Sequence, residues 1–168
     1  MSQRAKNISE RIKSLADEVI TFVEGLNGSN WAKVCDMENW SVGVTARHIG
    51  AGHFAISKMA AMIVRGDDLP ALSMNQINEM SDKDSRDHAD CTKAEALELL
   101  RKNSAELAAY AAELTDDELN RKGSMPAFGG EVTTEKLFDF IIFQSAAEHF
   151  ESMKAAVNKS SDSGFHYK

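Results

Sequence analysis

The sequence is poor in the residues that mark disulfide-stapled proteins and in the apolar runs that mark membrane proteins. The 168-residue chain has two cysteines, Cys35 and Cys91, which stand far apart and form no CxxC motif. We therefore expect both thiols to be reduced. No apolar segment reaches the roughly 20 residues of a membrane span, and none at the N-terminus resembles a signal peptide. These absences favour a cytoplasmic protein without a membrane partner.

Positive charge is also scarce. The chain has 26 acidic and 19 basic residues, which gives a formal net charge of −7 at pH 7. This charge repels phosphate backbones, and no basic stripe is interleaved with aromatic residues. We therefore expect no nucleic-acid partner, and a small-molecule ligand or substrate is the expected partner instead.

Apolar residues recur at helical spacing through most of the chain. A first stripe runs from Ile8 to Leu26 and predicts a helix that ends near Asn27, where Gly28 and Ser29 follow. Ser41 can cap a second helix, which the Gly66-to-Pro70 stretch ends. Further capping patterns begin a short helix that runs from Ser73 through Met80 and ends before Cys91, a third long helix at Thr92 and a fourth at Thr133 or Thr134.

Four long amphipathic helices without a convincing strand predict an all-α four-helix bundle. The segment RKGSMPAFGGEV (residues 121–132) is expected to be a loop or at most a short extended pair. The connection of about 25 residues between the second and third long helices predicts a crossover that carries the short extra helix. We expect residues 1–158 to form a single domain and residues 159–168 to be a flexible C-terminal tail.

Two histidines lie within the apolar stripes. His48 belongs to the second helix and His149 to the fourth, so the two could meet in one site. A histidine in such a stripe must satisfy both ring nitrogens, which requires a carbonyl, a carboxylate or a metal ion. Residues four apart share a helix face, so a pair at that spacing and one residue from a facing helix can hold a metal inside a bundle.

Three segments carry a resemblance to a known family. They are WSVGVTARH (residues 40–48), LPALSMNQINEM (residues 69–80) and EHFESM (residues 148–153). With these segments the chain resembles the DinB-like superfamily, which includes the mycothiol-dependent maleylpyruvate isomerase type. The resemblance implies a four-helix bundle and a divalent metal, often zinc or nickel. It also implies that such bundles often pair, so we expect a homodimer.

The metal ligands implied by the resemblance are one histidine of the second helix and two residues of the fourth. They correspond here to His48, His149 and Ser145, and the serine is a departure from the family pattern. A neutral hydroxyl is a weak ligand beside imidazole or carboxylate. His53 is an alternative ligand or a core histidine, and Glu148 either orients His149 or faces solvent.

Trp40 and Phe54 are expected in the core or in the wall of the pocket, as is typical of aromatic residues near such a site. Two hypotheses about function remain open. The first is a metal-dependent enzyme of thiol-dependent transferase, isomerase or hydrolase type that acts on a small molecule. The second is a metal-free protein of the same fold that binds a small ligand or serves as a dimeric scaffold.

Overall fold

The computed structural model describes residues 2–159, and most of them are helical. The first half contains α1 (Gln3–Glu24), α2 (Gly28–Trp31), β1 (Val34–Cys35), β2 (Trp40–Ser41) and α3 (Val42–Arg65). After α3 the chain continues with α4 (Met74–Asp87), α5 (Lys93–Glu113), α6 (Asp116–Asn120), β3 (Lys122–Met125), a 3-10 turn (Pro126–Phe128) and β4 (Gly130–Thr133). No helix within this range has both the length and the apolar composition that crossing a membrane requires. The tail expected at residues 159–168 lies, from residue 160 onward, outside the described residues.

The last helix has three parts and is called the C-terminal helix below. It begins as α7 (Thr134–Phe138), continues as a π-helical segment (Asp139–Ala146) and ends as α8 (Ala147–Asn158). Together with α1, α3 and α5 it forms a four-helix bundle, so the predicted all-α fold is confirmed. Helix α5 packs against both α1 and α3, and α3 packs against α8. The connection between α3 and α5 contains α4.

The predicted helix starts depend on side-chain caps that the structure contains. The hydroxyl groups of Ser41, Thr92 and Thr133 accept hydrogen bonds from backbone amides in the first turns of α3, α5 and α7. At α5 the side chain of Glu95 also accepts from the Thr92 amide, which completes a capping box. Local chemistry thus fixes the residue at which each of these helices begins.

The first helix is shorter than the sequence predicts. Helix α1 ends at Glu24, and the residues after it form the separate helix α2, which Asn27 caps. Helix α4 extends past Met80 to Asp87, so it ends before Cys91. Strands β1 and β2 form a small antiparallel hairpin that the sequence did not predict, whereas β3 and β4 are the extended pair of residues 121–132.

The bundle core has two apolar clusters, one toward each end. The first includes Ile12, Ile56, Leu107 and Phe138, and the second includes Val19, Ala46, Leu100 and Phe150. Between them α3 and α5 approach closely at Gly50, where an added Cβ would lie 3.0 Å from the Leu100 amide nitrogen. The carbonyl of Gly50 also accepts a hydrogen bond from the Asn103 side chain at 3.0 Å. This contact holds α3 in place beside the site.

Candidate functional site

A cavity of about 800 Å³ opens beside the bundle, between the β1–β2 hairpin, α4 and the C-terminal helix. Its volume falls in the range of about 300–1,000 Å³ that is typical of small-molecule sites. The residues that line it include Glu38, Trp40, His48, Ser145, Glu148 and His149. The predicted site residues of α3 and of the C-terminal helix therefore face one shared space.

The imidazole rings of His48 and His149 meet at the inner wall of this cavity. Their ring centroids are 4.9 Å apart and their planes are nearly perpendicular, at 85°. The indole of Trp40 contacts both, with centroid distances of 4.9 Å to His48 and 6.2 Å to His149. Trp40 is held in turn by a 3.2 Å hydrogen bond from its Nε1 to Asp82 Oδ1 on α4. The structure thus brings the two histidines together in one site.

Glu38 fixes the orientation of His149. Its carboxylate lies 2.7 Å from His149 Nδ1 through Oε1 and accepts a 2.6 Å hydrogen bond from Ser152 Oγ through Oε2. The side chain of Glu38 is 3% exposed, so its charge needs these partners. Because a carboxylate accepts, the neutral ring carries its proton on Nδ1 and keeps a free lone pair on Nε2. This is the nitrogen that His149 can offer to a ligand.

The π-helical segment places Ser145 on the same wall as His149. Hydrogen bonds in a π-helix span five residues instead of four, so residues four apart stay nearly in line. Ile141, Ser145 and His149 accordingly all line the cavity. The next row faces the core and consists of Phe138, Ile142, Ala146 and Phe150. Both rows pass through the π-helical segment without a break.

Burial keeps the His48 ring neutral. Removal from water lowers the pKa of His48 from 6.5 to about 4, and the neighbouring His149 ring adds to this effect. The carboxylates of Asp84 and Glu38 oppose it and raise the pKa, but by less than burial lowers it. A neutral imidazole can accept a hydrogen bond or bind a metal ion, so His48 is in a reactive form near pH 7.

These donors do not fit a closed metal site. Two imidazoles and the Ser145 hydroxyl converge, and a neutral hydroxyl is a weak ligand for zinc or nickel. Within residues 2–159 no three side chains of histidine, cysteine, aspartate and glutamate are grouped to hold one ion. Glu38 is the acidic group closest to His149, but both of its oxygens are engaged by hydrogen-bond donors. His48 and His149 therefore have no strong third metal ligand beside them among residues 2–159.

Two predicted site residues lie elsewhere. His53 is fully buried, with Nδ1 2.6 Å from the Ile49 carbonyl oxygen, and it does not line the cavity. Phe54 is 51% exposed with Lys58 beside its ring, so its assignment to the pocket wall was wrong. The reason is helical geometry, since residues five and six positions after His48 point about 140° and 240° away from it.

The main residue that the sequence analysis missed is Glu38. Glu148, which the sequence predicts either to orient His149 or to face solvent, lines the cavity as an exposed side chain, and Glu38 contacts His149 instead. Glu38 lies in the turn between β1 and β2, where Asn39 adopts a positive φ of 58°. Asparagine tolerates this conformation, so Asn39 is the one local signal of a turn that directs Glu38 inward.

The arrangement of this site can be compared with known families. Residues 3–149 match the family model of the DinB superfamily. The chain belongs to the DinB superfamily. Its bundle is similar to that of another solved structure, YfiT from Bacillus subtilis, with a TM-score of 0.76 and 15% sequence identity. This match covers 93% of the present chain and 87% of YfiT, and it supports the four-helix bundle fold.

YfiT is described as a probable metal-dependent hydrolase with an unusual four-helix bundle topology. A comparison with curated proteins found no match. Membership of the DinB superfamily therefore accounts for the bundle fold, while the chemistry follows from the residues at the site.

Proposed function

We propose that this DinB-superfamily protein binds a small molecule in the cavity and uses His149, oriented by Glu38, to accept a proton or a hydrogen bond from it. The contact between Glu38 and His149 carries the proposal. This contact is 2.7 Å long, and it joins a nearly inaccessible carboxylate to an imidazole ring that lines the cavity. Such a carboxylate sets the tautomer and increases the basicity of the other ring nitrogen.

Two further features support a ligand that contacts the imidazoles directly. Trp40 packs against both rings, and the neutral His48 ring stands next to His149 as a second hydrogen-bonding group. The wall around them combines apolar and polar side chains, which is typical of sites that orient a small substrate. A tightly bound metal is not needed for this role.

The test uses two probes that share an aromatic ring, one with a hydroxyl group and the other with a methoxy group in its place. Phenol remains protonated near pH 7 and can donate to His149, whereas anisole has the same ring without a donor. We expect phenol to bind about threefold or more tightly than anisole, the range of one neutral hydrogen bond. Binding is followed by the nuclear magnetic resonance signals of the cavity residues, with EDTA present.

The matched variants are His149→Phe and Gln144→Trp. His149→Phe should abolish the preference for phenol but keep the cavity, and Gln144→Trp should weaken both probes because the indole fills the cavity. Equal binding of phenol and anisole to the wild-type protein would contradict the proposed role of His149 as a hydrogen-bond acceptor. Binding of neither probe would contradict the proposed function itself.

A metal-dependent reaction is the second candidate, and the convergence of His48 and His149 favours it. The carboxylate behind His149 is the partner that metal-binding histidines usually have. An ion held by the two histidines would supply Lewis-acid chemistry to a ligand in the cavity. The candidate would be favoured by one equivalent of metal in protein purified without a histidine tag, and trace metal would count against it.

A further inference from the structure

We infer that the cavity selects ligands in which a protonated amine is attached to an apolar body, an inference that rests on the proposed binding of a small molecule. The charges on the cavity wall are all of one sign. Glu38, Asp82 and Glu148 line it, and no lysine or arginine from residues 2–159 does so. A concave site with one sign of charge attracts ligands of the opposite sign.

The acidic groups approach the cavity from different parts of the fold. Asp82 belongs to α4 and Glu148 to α8, so their carboxylates flank the space instead of forming a cluster on one helix. Glu38 is already engaged by His149 and Ser152, whereas Asp82 accepts one hydrogen bond, from Trp40. Asp82 and Glu148 are therefore the groups available to a cationic ligand.

Glu148 differs in this respect from the next acidic residue of α8. In the described part of the chain Glu148 makes no ion pair, while Glu151 pairs with Lys154 at 2.5 Å. Both carboxylates are exposed, but only Glu148 lines the cavity. The two residues thus form a natural matched pair for mutation.

The remaining wall suits the apolar body of such a ligand. Three large apolar side chains at the cavity remain exposed, Met37 by 59%, Met74 by 48% and Phe140 by 41%. Exposed apolar residues grouped at a cavity are typical of a binding surface. Trp40 adds an indole, the aromatic group that attracts ammonium ions most strongly. An amine between the carboxylates could therefore place its apolar part against these side chains.

The experiment compares three probes of similar size, phenethylamine, 2-phenylethanol and phenylacetate, which are cationic, neutral and anionic near pH 7. Binding is measured on the full chain by the shift of the Trp40 indole signal, with EDTA present to remove metal ions. We expect phenethylamine to bind about fivefold or more tightly than 2-phenylethanol, and phenylacetate to bind most weakly. The preference should shrink as salt is added, because exposed charges are screened.

Glu148→Gln should reduce the ratio between phenethylamine and 2-phenylethanol by about threefold or more, and Glu151→Gln should leave it unchanged. Glu148→Lys should improve the binding of phenylacetate relative to the wild type. Equal binding of all three probes would overturn the inference but leave the proposed function standing. If none of the probes bound, both would fail.

Discussion

At the scale of single residues, the site depends on a carboxylate that is almost withdrawn from water. Glu38 is tolerated there because His149 and Ser152 both donate to it. The same contact sets which nitrogen of His149 carries the proton, so Glu38 contributes to the fold and also to the proposed role of His149. Any change at Glu38 should therefore affect both stability and the state of the ring.

We predict that Glu38→Gln lowers the free energy of unfolding by about 1–3 kcal/mol, because a neutral amide replaces the charged acceptor of two hydrogen bonds. The nitrogen-15 spectrum of His149 should also change from the Nδ1-protonated tautomer to a mixture of both tautomers. Glu151→Gln serves as the control, because it alters a surface ion pair on α8, the helix that carries His149. An unchanged tautomer in Glu38→Gln would contradict the assigned role of Glu38.

A second prediction concerns acid stability. Burial lowers the pKa of His48 to about 4 and also lowers the pKa of His53, both from 6.5. Because the unfolded chain then binds protons before the folded one, these groups contribute stability above about pH 6.5 that is lost as the pH falls through their folded pKa values. We expect the free energy of unfolding, measured in urea, to decline between about pH 6.5 and pH 5.

His53→Leu tests this explanation without altering the cavity. The variant removes the titrating ring and its buried Nε2, which has no hydrogen-bond partner among the described residues. Its stability should decline less steeply over the same pH interval than the stability of the wild type. Identical pH dependence of His53→Leu and the wild type would show that His53 does not contribute.

The sequence indicated part of this site. His48 and His149 could be found because they interrupt regular apolar stripes on two helices. Glu38 could not, since it lies 111 positions before its partner in a turn with no periodicity. Phe54 is exposed, whereas an aromatic side chain is more often expected in a core or a pocket wall. Long-range contacts of loop residues and the angular position around a helix are thus the information that the sequence pattern did not supply.

At the scale of the helices, prediction succeeded where local chemistry decides the outcome. Ser41, Thr92 and Thr133 begin their helices through hydrogen bonds to nearby amides, which capping patterns record directly. The β1–β2 hairpin has two residues in each strand, too few to show alternation. The π-helical segment also escaped prediction, because its row of cavity residues keeps the spacing of four that an ordinary helix can have.

Helix α3 offers a test of how closely the bundle packs beside the site. At Gly50 an added Cβ would meet the backbone of α5 at 3.0 Å, while at Gly52 it would meet nothing within 4 Å. We predict that Gly50→Ala lowers the melting temperature. Gly52→Ala should leave the melting temperature unchanged or raise it, because alanine has the higher helix propensity and can add up to about 1 kcal/mol to the free energy of unfolding. Thermal unfolding of both variants measures this, and equal effects would mean that α3 and α5 are not in close contact at Gly50.

At the scale of the whole molecule, the association of two copies remains a prediction. An acidic chain with 43% hydrophobic residues can leave an apolar surface for a two-fold contact. We predict a homodimer, which sedimentation equilibrium would detect as a mass near twice the 18.5 kDa of one chain. A mass of one chain at every concentration tested would rule it out.

We propose that the cavity acts through histidines and carboxylates without a tightly bound metal ion. Calorimetric titration of the untagged protein with Zn²⁺ tests this proposal, with Ser145→His as the matched variant that adds a third strong ligand beside His48 and His149. We expect weak binding to the wild type, with a dissociation constant above about 10 μM, and binding at least about tenfold tighter to Ser145→His. One equivalent of Zn²⁺ bound as tightly by the wild type as by Ser145→His would contradict it.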